Sequence, residues 1–323
     1  MHGTVAKTAG KLRQQSDEAL LDALLKRLRA TGVVEFSGEF GNEITTFIPL
    51  AHWLKREGHL NGRRVRTYQG MRPYYFFLDD DQLETKSAQR TPLTPLLRDW
   101  PSNRTYAATK RYWHAPPDFR AYYAGQARRF EKPILFVQNK FAAEWNFGPI
   151  NFLPLGELRR LLKLTSDRFQ IIYSRPGAIA DLAGYSLDDN SFCHYPDLAV
   201  LKEFPEALIL EEMVRDEGRP YNEVKLEVLA GAYAFFTVQG GSAHILSAFG
   251  ESLLAILHRR GDEYPHAYAR GPYKFLSPSP PEILVARTDA QLRHLVKMFA
   301  HVDVVDDKVA MNTMHPQRWL LRT

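Results

Sequence analysis

Cysteine is almost missing from this chain, since Cys193 is the one cysteine among 323 residues. A single cysteine excludes an internal disulfide and a zinc site built from several thiolates. Apolar runs are also short, and none approaches the roughly 20 residues that cross a bilayer. The first residues lack the apolar segment of a secretory signal. We therefore expect a cytoplasmic protein without a membrane-spanning helix.

A strong excess of one charge is missing as well. The 42 basic and 37 acidic residues give a net charge of +5, which is too small to predict a nucleic-acid-binding protein. This charge is compatible with an acidic ligand and with peripheral association with an anionic membrane surface. The composition, 45% hydrophobic and 24% charged, is that of a globular protein. The length predicts two domains, because a single core would be large for it.

The second half of the chain alternates short apolar segments with amphipathic ones. Strands are predicted at residues 132–138, 169–173, 207–210, 234–238, 253–257 and 282–286, and helices at 155–164, at 221–231 and from 289 onward. This alternation predicts an α/β fold with a parallel sheet covered on both faces. Ligands bind such sheets beyond the carboxyl ends of the strands. Three loops, at 138–140, 174–175 and 239–243, are expected to converge there.

The turn at Gly240 and Gly241 is the most informative of these loops. Paired glycines let the backbone approach a ligand closely, and they accept positive φ without strain. A helix is predicted to follow, with unpaired N–H groups and a partial positive charge at its start. This geometry suits a phosphate or diphosphate. The alternative is a purely structural glycine turn.

The first half also begins with a strand, a glycine-bearing turn and a helix. Strands are predicted at residues 33–36 and 64–68, with the turn at 37–43 and a helix to about residue 57 between them. Pro49 predicts that this helix starts late or is kinked. Asp79 to Asp81 could attract a divalent metal. Since consecutive acids point in different directions, we do not expect a metal site there.

Basic and aromatic residues are mixed between 104 and 114. Such a mixture can bind single-stranded nucleic acid or stack on sugar rings. It can equally cover the core with amphipathic side chains. A non-catalytic two-domain α/β protein that binds a ligand or single-stranded nucleic acid therefore stays open as an alternative to an enzyme.

Several stretches resemble bacterial polysaccharide glycosyltransferases of the GT-B class. Residues 39–43 and 49–54 resemble the opening of these enzymes, residues 133–152 their passage into the second domain, and residues 238–250 their donor loop. The resemblance implies two Rossmann-like domains facing each other across a cleft. Residues 1–130 would bind the acceptor and residues 131–323 the nucleotide sugar. It also implies metal-independent sugar transfer to a glycan or other hydroxyl acceptor, without a cofactor and without nucleic acid.

The acceptor hydroxyl must lose a proton, so an inverting enzyme needs a general base, although the sequence does not predict whether transfer is inverting or retaining. Glu39 is the first candidate, with Glu43 and His244 as further candidates, although Glu39 could instead cap a helix and His244 could pack in the core. Glu211 and Glu212 could reach a ribose hydroxyl. The residues expected to bind the donor are Lys140, Arg175, Glu212, Gln239, Gly240, Gly241, Ser242 and Ala243, and those expected at the acceptor are Gly38, Asn42, Trp145 and Asn146. The sequence predicts neither the donor base, the sugar nor the oligomeric state.

Overall fold

The computed structural model describes residues 21–87, 90, 116–143, 148–176, 194–260, 268, 272–305 and 308–311. Cys193, the segment 104–114, and the predicted acceptor residues Trp145 and Asn146 lie outside the described residues. The prediction of an α/β fold with parallel sheets is confirmed, because the strands of the two larger sheets all pair in parallel.

A three-stranded parallel sheet forms the first half of the described chain. Its strands are β1 (Val33–Glu35), β2 (Arg64–Tyr68) and β3 (Leu83–Lys86), in the order β1-β2-β3, preceded by helix α1 at residues 21–31. Between β1 and β2 the chain forms α2 (Phe40–Asn42), a π turn (Glu43–Phe47) and α3 (Ile48–Arg56). Pro49 has no N–H group and would crowd the carbonyl four residues earlier in a regular helix. The wider π turn lies just before it, so the predicted irregularity is confirmed.

Six parallel strands form the larger sheet in the second half. In chain order the elements are α4 (Phe119–Tyr123), β4 (Ile134–Gln138), α5 (Leu155–Thr165), β5 (Gln170–Ser174), α6 (Asp197–Leu201), β6 (Leu208–Ile209), α7 (Leu210–Glu217), α8 (Tyr221–Gly231), β7 (Ala232–Val238), α9 (Gly241–Ser247), β8 (Leu253–Leu257), β9 (Glu282–Ala286) and α10 (Asp289–Phe299). The strands are short and almost wholly apolar because helices and loops cover both faces of the sheet.

The spatial order of the six strands is β6-β5-β4-β7-β8-β9. On one side of β4 lie β5 and then β6, and on the far side of β7 lie β8 and then β9. This is the order of a doubly wound α/β sheet, and its topological switch point lies between β4 and β7. Ligands of such sheets bind in the crevice at that point, beyond the carboxyl ends of the strands.

Two hydrophobic cores lie on opposite faces of the six-stranded sheet. Leu135 and Val137 of β4 belong to the core that contains α5 and α10, whereas Ile134 and Phe136 belong to the other core. That second core also contains the apolar side chains of α8, α9 and the first half of the chain. The first half therefore packs directly against one face of the large sheet.

Helix α4 connects the two halves through one half-buried arginine. The guanidinium of Arg120 donates to the carbonyl oxygens of Gly250, Ala230 and Ala232, each at 2.8 Å. Burial lowers the pKa of Arg120. The predicted boundary between residues 130 and 131 falls after this helix, so part of the proposed first domain is bound to the second half. Two Rossmann-like domains facing each other across a cleft remain a prediction.

The end of the described chain contains an element that the sequence did not predict. An antiparallel hairpin joins β10 (Val302–Val305) to β11 (Lys308–Met311). It follows α10, which begins after Thr288 as predicted, and Thr288 caps this helix by accepting a hydrogen bond from the amide of Gln291. Within the described ranges, no helix has both the length and the apolar character needed to cross a membrane.

Candidate functional site

Three loops leave the six-stranded sheet side by side at its switch point. The register places Gln138 at the end of β4 opposite Ser174 of β5 on one side and opposite Thr237 of β7 on the other. The loops that begin at residues 138, 174 and 239 therefore start from adjacent positions. The predicted convergence of these loops at one edge of the sheet is confirmed.

The glycine turn after β7 has a backbone that only glycine adopts without strain. Gly240 has φ 129° and ψ −168°, a region that is closed to residues with a Cβ atom. A Cβ atom at this position would lie 3.3 Å from Nζ of Lys140. The predicted cation and the predicted glycine turn are therefore in contact, although 100 residues separate them in the chain.

The backbone amides of Gly241, Ser242 and Ala243 form the first turn of α9, directly after β7. Within the described part of the chain, these amides have no hydrogen-bond partner. Gly240, Gly241 and Ser242 are half-buried, and Ala243 is buried. Helix α9 has only seven residues, so its dipole is weaker than that of a long helix. The Nζ atom of Lys140 is the cation that lies next to this turn among the contacts described above.

A second glycine turn, between β1 and α2, packs against the first. A Cβ atom on Gly41 would lie 2.8 Å from Nδ1 of His244 and 3.4 Å from Cα of Gly241. A Cβ atom on Gly241 would lie 2.9 Å from Cδ1 of Phe40. Both positions therefore need glycine for close approach. The contact brings the predicted acceptor residues Gly38 and Asn42 to the same region as the predicted donor turn.

The structure separates two of the candidate bases by exposure. Glu39 is exposed at the start of α2, and its side chain does not cap that helix. Glu43 is fully buried, and it accepts hydrogen bonds from Thr67, from Tyr75 at 2.7 Å and from Arg90 at 2.8 Å. Burial, together with the Glu43 carboxylate, raises the pKa of Tyr75 well above its ordinary value. Of these two candidates, Glu43 is thus held by side chains in the core, whereas Glu39 lies at the surface.

His244, the third candidate base, is packed within an aromatic stack. Its ring lies 4.5 Å from the ring of Tyr273 at an interplanar angle of 4°. The hydroxyl of Tyr268 lies 3.4 Å from Nε2 of His244. His244 is buried, and these contacts match the alternative in which it packs in the core.

Arg175 lies at the predicted strand end, but its charge is already paired. Its Nη1 atom lies 2.5 Å from Oδ1 of Asp197, and both side chains are buried. Asp197 also accepts hydrogen bonds from Tyr173 and, at 3.3 Å, from Asn139. Burial, and then the Asp197 carboxylate, raises the pKa of Tyr173. Arg175 is therefore held in a buried ion pair at the end of β5 and is not a solvated surface charge.

Gln239 is held by a residue to which the sequence assigned no role. Its Oε1 atom accepts a hydrogen bond from Nδ2 of Asn151 at 3.2 Å, and Oδ1 of Asn151 accepts one from the amide of Arg259 at 2.8 Å. Asn151 therefore joins the ends of β7 and β8.

On the turn between β1 and α2, the amide of Gly38 donates a hydrogen bond to the hydroxyl of Tyr68 at 3.1 Å, and Asn42 is half-buried.

The two acids after β6 point in different directions. Glu212, which was predicted to bind the donor, is exposed, whereas Glu211 is buried and accepts hydrogen bonds from Oγ of Ser174 at 2.8 Å and the amide of Arg175 at 3.1 Å. Burial raises the pKa of Glu211. Of the two, Glu211 is the acid that reaches the centre of the sheet.

Lys225 is a buried charge that the sequence analysis missed. Burial lowers the pKa of Lys225 to about 8, although the nearby Glu211 opposes this shift. Its Nζ atom lies 5.7 Å from the centre of the Tyr221 ring and 6.0 Å from that of Phe40. Helix α8 is buried almost all round, which is typical of a core helix. The presence of a lysine among the apolar residues of this helix is the sequence feature that could have predicted a buried charge.

Two of the three acids at 79–81 have local structural partners. Asp79 lies 2.5 Å from Nζ of Lys55 and forms a capping box with Gln82. Asp80 lies 2.7 Å from Nη2 of Arg72. In the ranges that the structure describes, no group of three or more His, Cys, Asp or Glu side chains could hold a metal ion.

A cavity of about 510 Å³ lies at the opposite edge of the sheet, by the amino ends of β4 and β7. Its lining includes Arg128 and Lys132. Arg128 is paired with Glu217 and Glu227, and Lys132 donates to a carbonyl just after the last residue of α5. Cations are expected at this edge because the carboxyl ends of the helices gather there.

No protein-family model and no curated protein match this chain. Among solved structures, the chain is similar to the wall teichoic acid polymerase TagF, with 10% identity and a TM-score of 0.31 over 77% of this chain and 51% of that one. A variant of the same polymerase gives 8% identity and a TM-score of 0.23 over 77% and 54%. The chain thus spans about half the length of these structures. A likeness at these TM-scores carries no argument about activity.

Proposed function

We propose that this protein is a metal-independent glycosyltransferase that moves a sugar from a nucleotide sugar to a glycan or other hydroxyl acceptor. The observation that carries the proposal is the contact between Lys140 and the Gly240 turn at the switch point of the sheet. The free amides of Gly241 and Ser242 add donors to the same place. Together they form a half-buried, positively charged receptor for a diphosphate.

The chemistry of sugar transfer explains why such a receptor would serve catalysis. Negative charge builds up on the diphosphate as the bond to the sugar breaks. Donors that are fixed in advance stabilise that charge without reorganising. Lys140 and the amides would do this in place of a metal ion. Glu39, exposed on the turn that packs against Gly241, would accept the proton of the acceptor hydroxyl.

A non-catalytic nucleotide-binding protein is the second candidate. The observation that favours it is the packing of two of the three candidate bases. Glu43 is bound by three side chains, and His244 lies in an aromatic stack. Glu39 is therefore the residue on which the choice between transfer and binding depends.

Both candidate functions require the protein to bind a nucleotide, and a panel of UDP, GDP and CMP tests that binding. A nucleotide present at 100 times its dissociation constant should stabilise the protein by about 2.7 kcal/mol. Lys140→Met should remove most of this stabilisation. Lys163→Met, on the exposed side of α5, is the matched control and should keep it. If no nucleotide stabilises the protein, or if both variants respond alike, the proposal fails.

A further inference from the structure

A row of buried polar side chains crosses the centre of the six-stranded sheet just below the switch-point loops. Ser174, Gln138 and Thr237 are neighbours in register on β5, β4 and β7. They are 0%, 1% and 1% exposed. Residues two positions earlier on the same strands, Ile172, Phe136 and Phe235, lie in the core shared with the first half of the chain. Because side chains alternate along a strand, the polar row faces the same way.

Glu211 and Lys225 extend this row. Glu211 accepts a hydrogen bond from Ser174 at 2.8 Å and another from the Tyr221 hydroxyl at 3.4 Å. Lys225 lies one helical turn after Tyr221, and it is close enough to Glu211 for each charge to shift the pKa of the other. Glu211 and Lys225 are 1% and 3% exposed. We call Gln138, Glu211 and Lys225 the polar cluster.

The polar cluster contains an unusual number of buried atoms without partners. In the part of the chain that the structure describes, neither Oε1 nor Nε2 of Gln138 has a hydrogen-bond partner, and the same holds for Oε2 of Glu211. The ammonium of Lys225 lies against two aromatic rings, 5.7 Å from the centre of the Tyr221 ring and 6.0 Å from that of Phe40. Most buried polar atoms in proteins are hydrogen-bonded, and leaving one without a partner is costly. Such atoms gathered beneath the loops of the switch point indicate that a ligand supplies the missing partners.

The chemistry of the polar cluster indicates what that ligand carries. A carboxylate and an amide oxygen need donors, whereas an ammonium and an amide nitrogen need acceptors. An anion alone would satisfy Lys225 but would be repelled by Glu211. Hydroxyl groups both donate and accept, so adjacent hydroxyls match all three residues. The cluster lies directly under the phosphate receptor, because Gln138 precedes Lys140 by two residues and Thr237 precedes Gly240 by three.

We propose that the polar cluster binds the hydroxyl groups of the sugar that is attached to the nucleotide diphosphate. This inference rests on the proposed function, because it places the sugar next to the phosphates held by Lys140 and the Gly240 turn. Glu211 and the amide oxygen of Gln138 accept hydrogen bonds from the sugar hydroxyls. Lys225 and the amide nitrogen of Gln138 donate hydrogen bonds to them.

Stability without ligand gives the first arm of the test. Gln138→Leu removes unpartnered atoms, so its melting temperature should equal or exceed that of the wild type. Gln82→Leu is the matched control, since Gln82 is also buried but donates to Leu60 at 3.1 Å and accepts from Lys55 at 2.5 Å. The control should melt at a lower temperature. If Gln138→Leu is destabilised as much as Gln82→Leu, ordered water or protein already satisfies Gln138, and the inference fails.

Binding gives the second arm, measured by calorimetry with UDP, UDP-glucose, GDP and GDP-mannose. The affinity of Gln138→Leu for the sugar conjugate should fall about tenfold, as expected for the loss of one or two hydrogen bonds. Its affinity for the matching diphosphate should change less than about twofold. Lys225→Met should show the same pattern. Equal losses for conjugate and diphosphate, or unchanged binding of the conjugate, would overturn the inference.

Glucose 1-phosphate separates this inference from the proposed function. If the wild type binds glucose 1-phosphate but no nucleotide, and Gln138→Leu loses that binding, the polar cluster stands and the nucleotide-dependent transferase does not. If the nucleotides and their sugar conjugates bind, and Lys140→Met weakens the binding of the conjugates whereas Gln138→Leu does not, the proposed function stands and the polar cluster fails. If the wild type binds none of these compounds, both fail.

Discussion

Replacing Lys225 by methionine should make the protein more stable at neutral pH. Burial holds the pKa of Lys225 at about 8, against an ordinary value of 10.5. At about 1.36 kcal/mol per pH unit, the buried charge costs about 3 kcal/mol below pH 8. Methionine has a similar unbranched shape and no charge. We therefore expect Lys225→Met to raise the free energy of unfolding at pH 7 by up to about 3 kcal/mol.

The pH dependence of this difference has a definite sign. Between pH 8 and 10.5 the unfolded chain keeps the proton on Lys225, whereas the folded protein has lost it. Because the unfolded state then binds more protons, raising the pH stabilises the wild type relative to the variant. The advantage of Lys225→Met should be full below pH 8 and should fade towards pH 10.5.

Urea denaturation of both proteins at pH 7, 8, 9 and 10 measures this difference. Subtracting the free energy of unfolding of the wild type from that of the variant removes the contribution of the other groups that titrate in this range. Lys163→Met, in which an exposed lysine changes, should give a difference that is small and flat across the series. A variant that is less stable than the wild type at pH 7, or a difference that does not change with pH, would refute the assignment of Lys225 as a buried, poorly paired charge.

Three further substitutions test the roles of the two turns. Glu39→Gln should lower the rate of sugar transfer about 100-fold or more, as loss of a general base does, while calorimetry shows unchanged nucleotide affinity; retained turnover would remove Glu39 from the mechanism. Gly240→Ala should cost about 1–3 kcal/mol in urea denaturation because of its backbone conformation, and it should also weaken nucleotide binding. Gly218→Ala, whose glycine also has positive φ, is its control and should lower stability alone. Glu43→Gln should cost about 3–5 kcal/mol, because it breaks the buried ion pair between Glu43 and Arg90; lost turnover with unchanged stability would instead make Glu43 catalytic.

The sheet was the part of the fold most open to prediction. Strands β8 and β9 were predicted with the observed bounds, because strands buried on both faces appear as short, unbroken apolar runs. The glycine turn followed from local chemistry, since Gly240 and Gly241 are adjacent in the sequence. Parallel pairing then placed Lys140 and Gly240 at the same edge without further information.

The contacts that decide the role of each side chain were not open to prediction. Glu43 and Arg90 are 47 residues apart, and no local pattern joins them. Arg175 and Asp197 form a similar long-range pair. The unpartnered state of Gln138 depends on the register of three strands, which the sequence of one strand does not contain. The hairpin of β10 and β11 was missed because its strands are short and pair mainly with each other.

A structure of the protein with a bound nucleoside diphosphate tests the central claim most directly. Crystals soaked with UDP, GDP and CDP should show phosphate oxygens within hydrogen-bonding distance of Nζ of Lys140 and of the amides of Gly241 and Ser242. Phosphates bound elsewhere, for example in the basic cavity at the amino ends of β4 and β7, or a switch point that stays empty at saturating nucleotide, would contradict it.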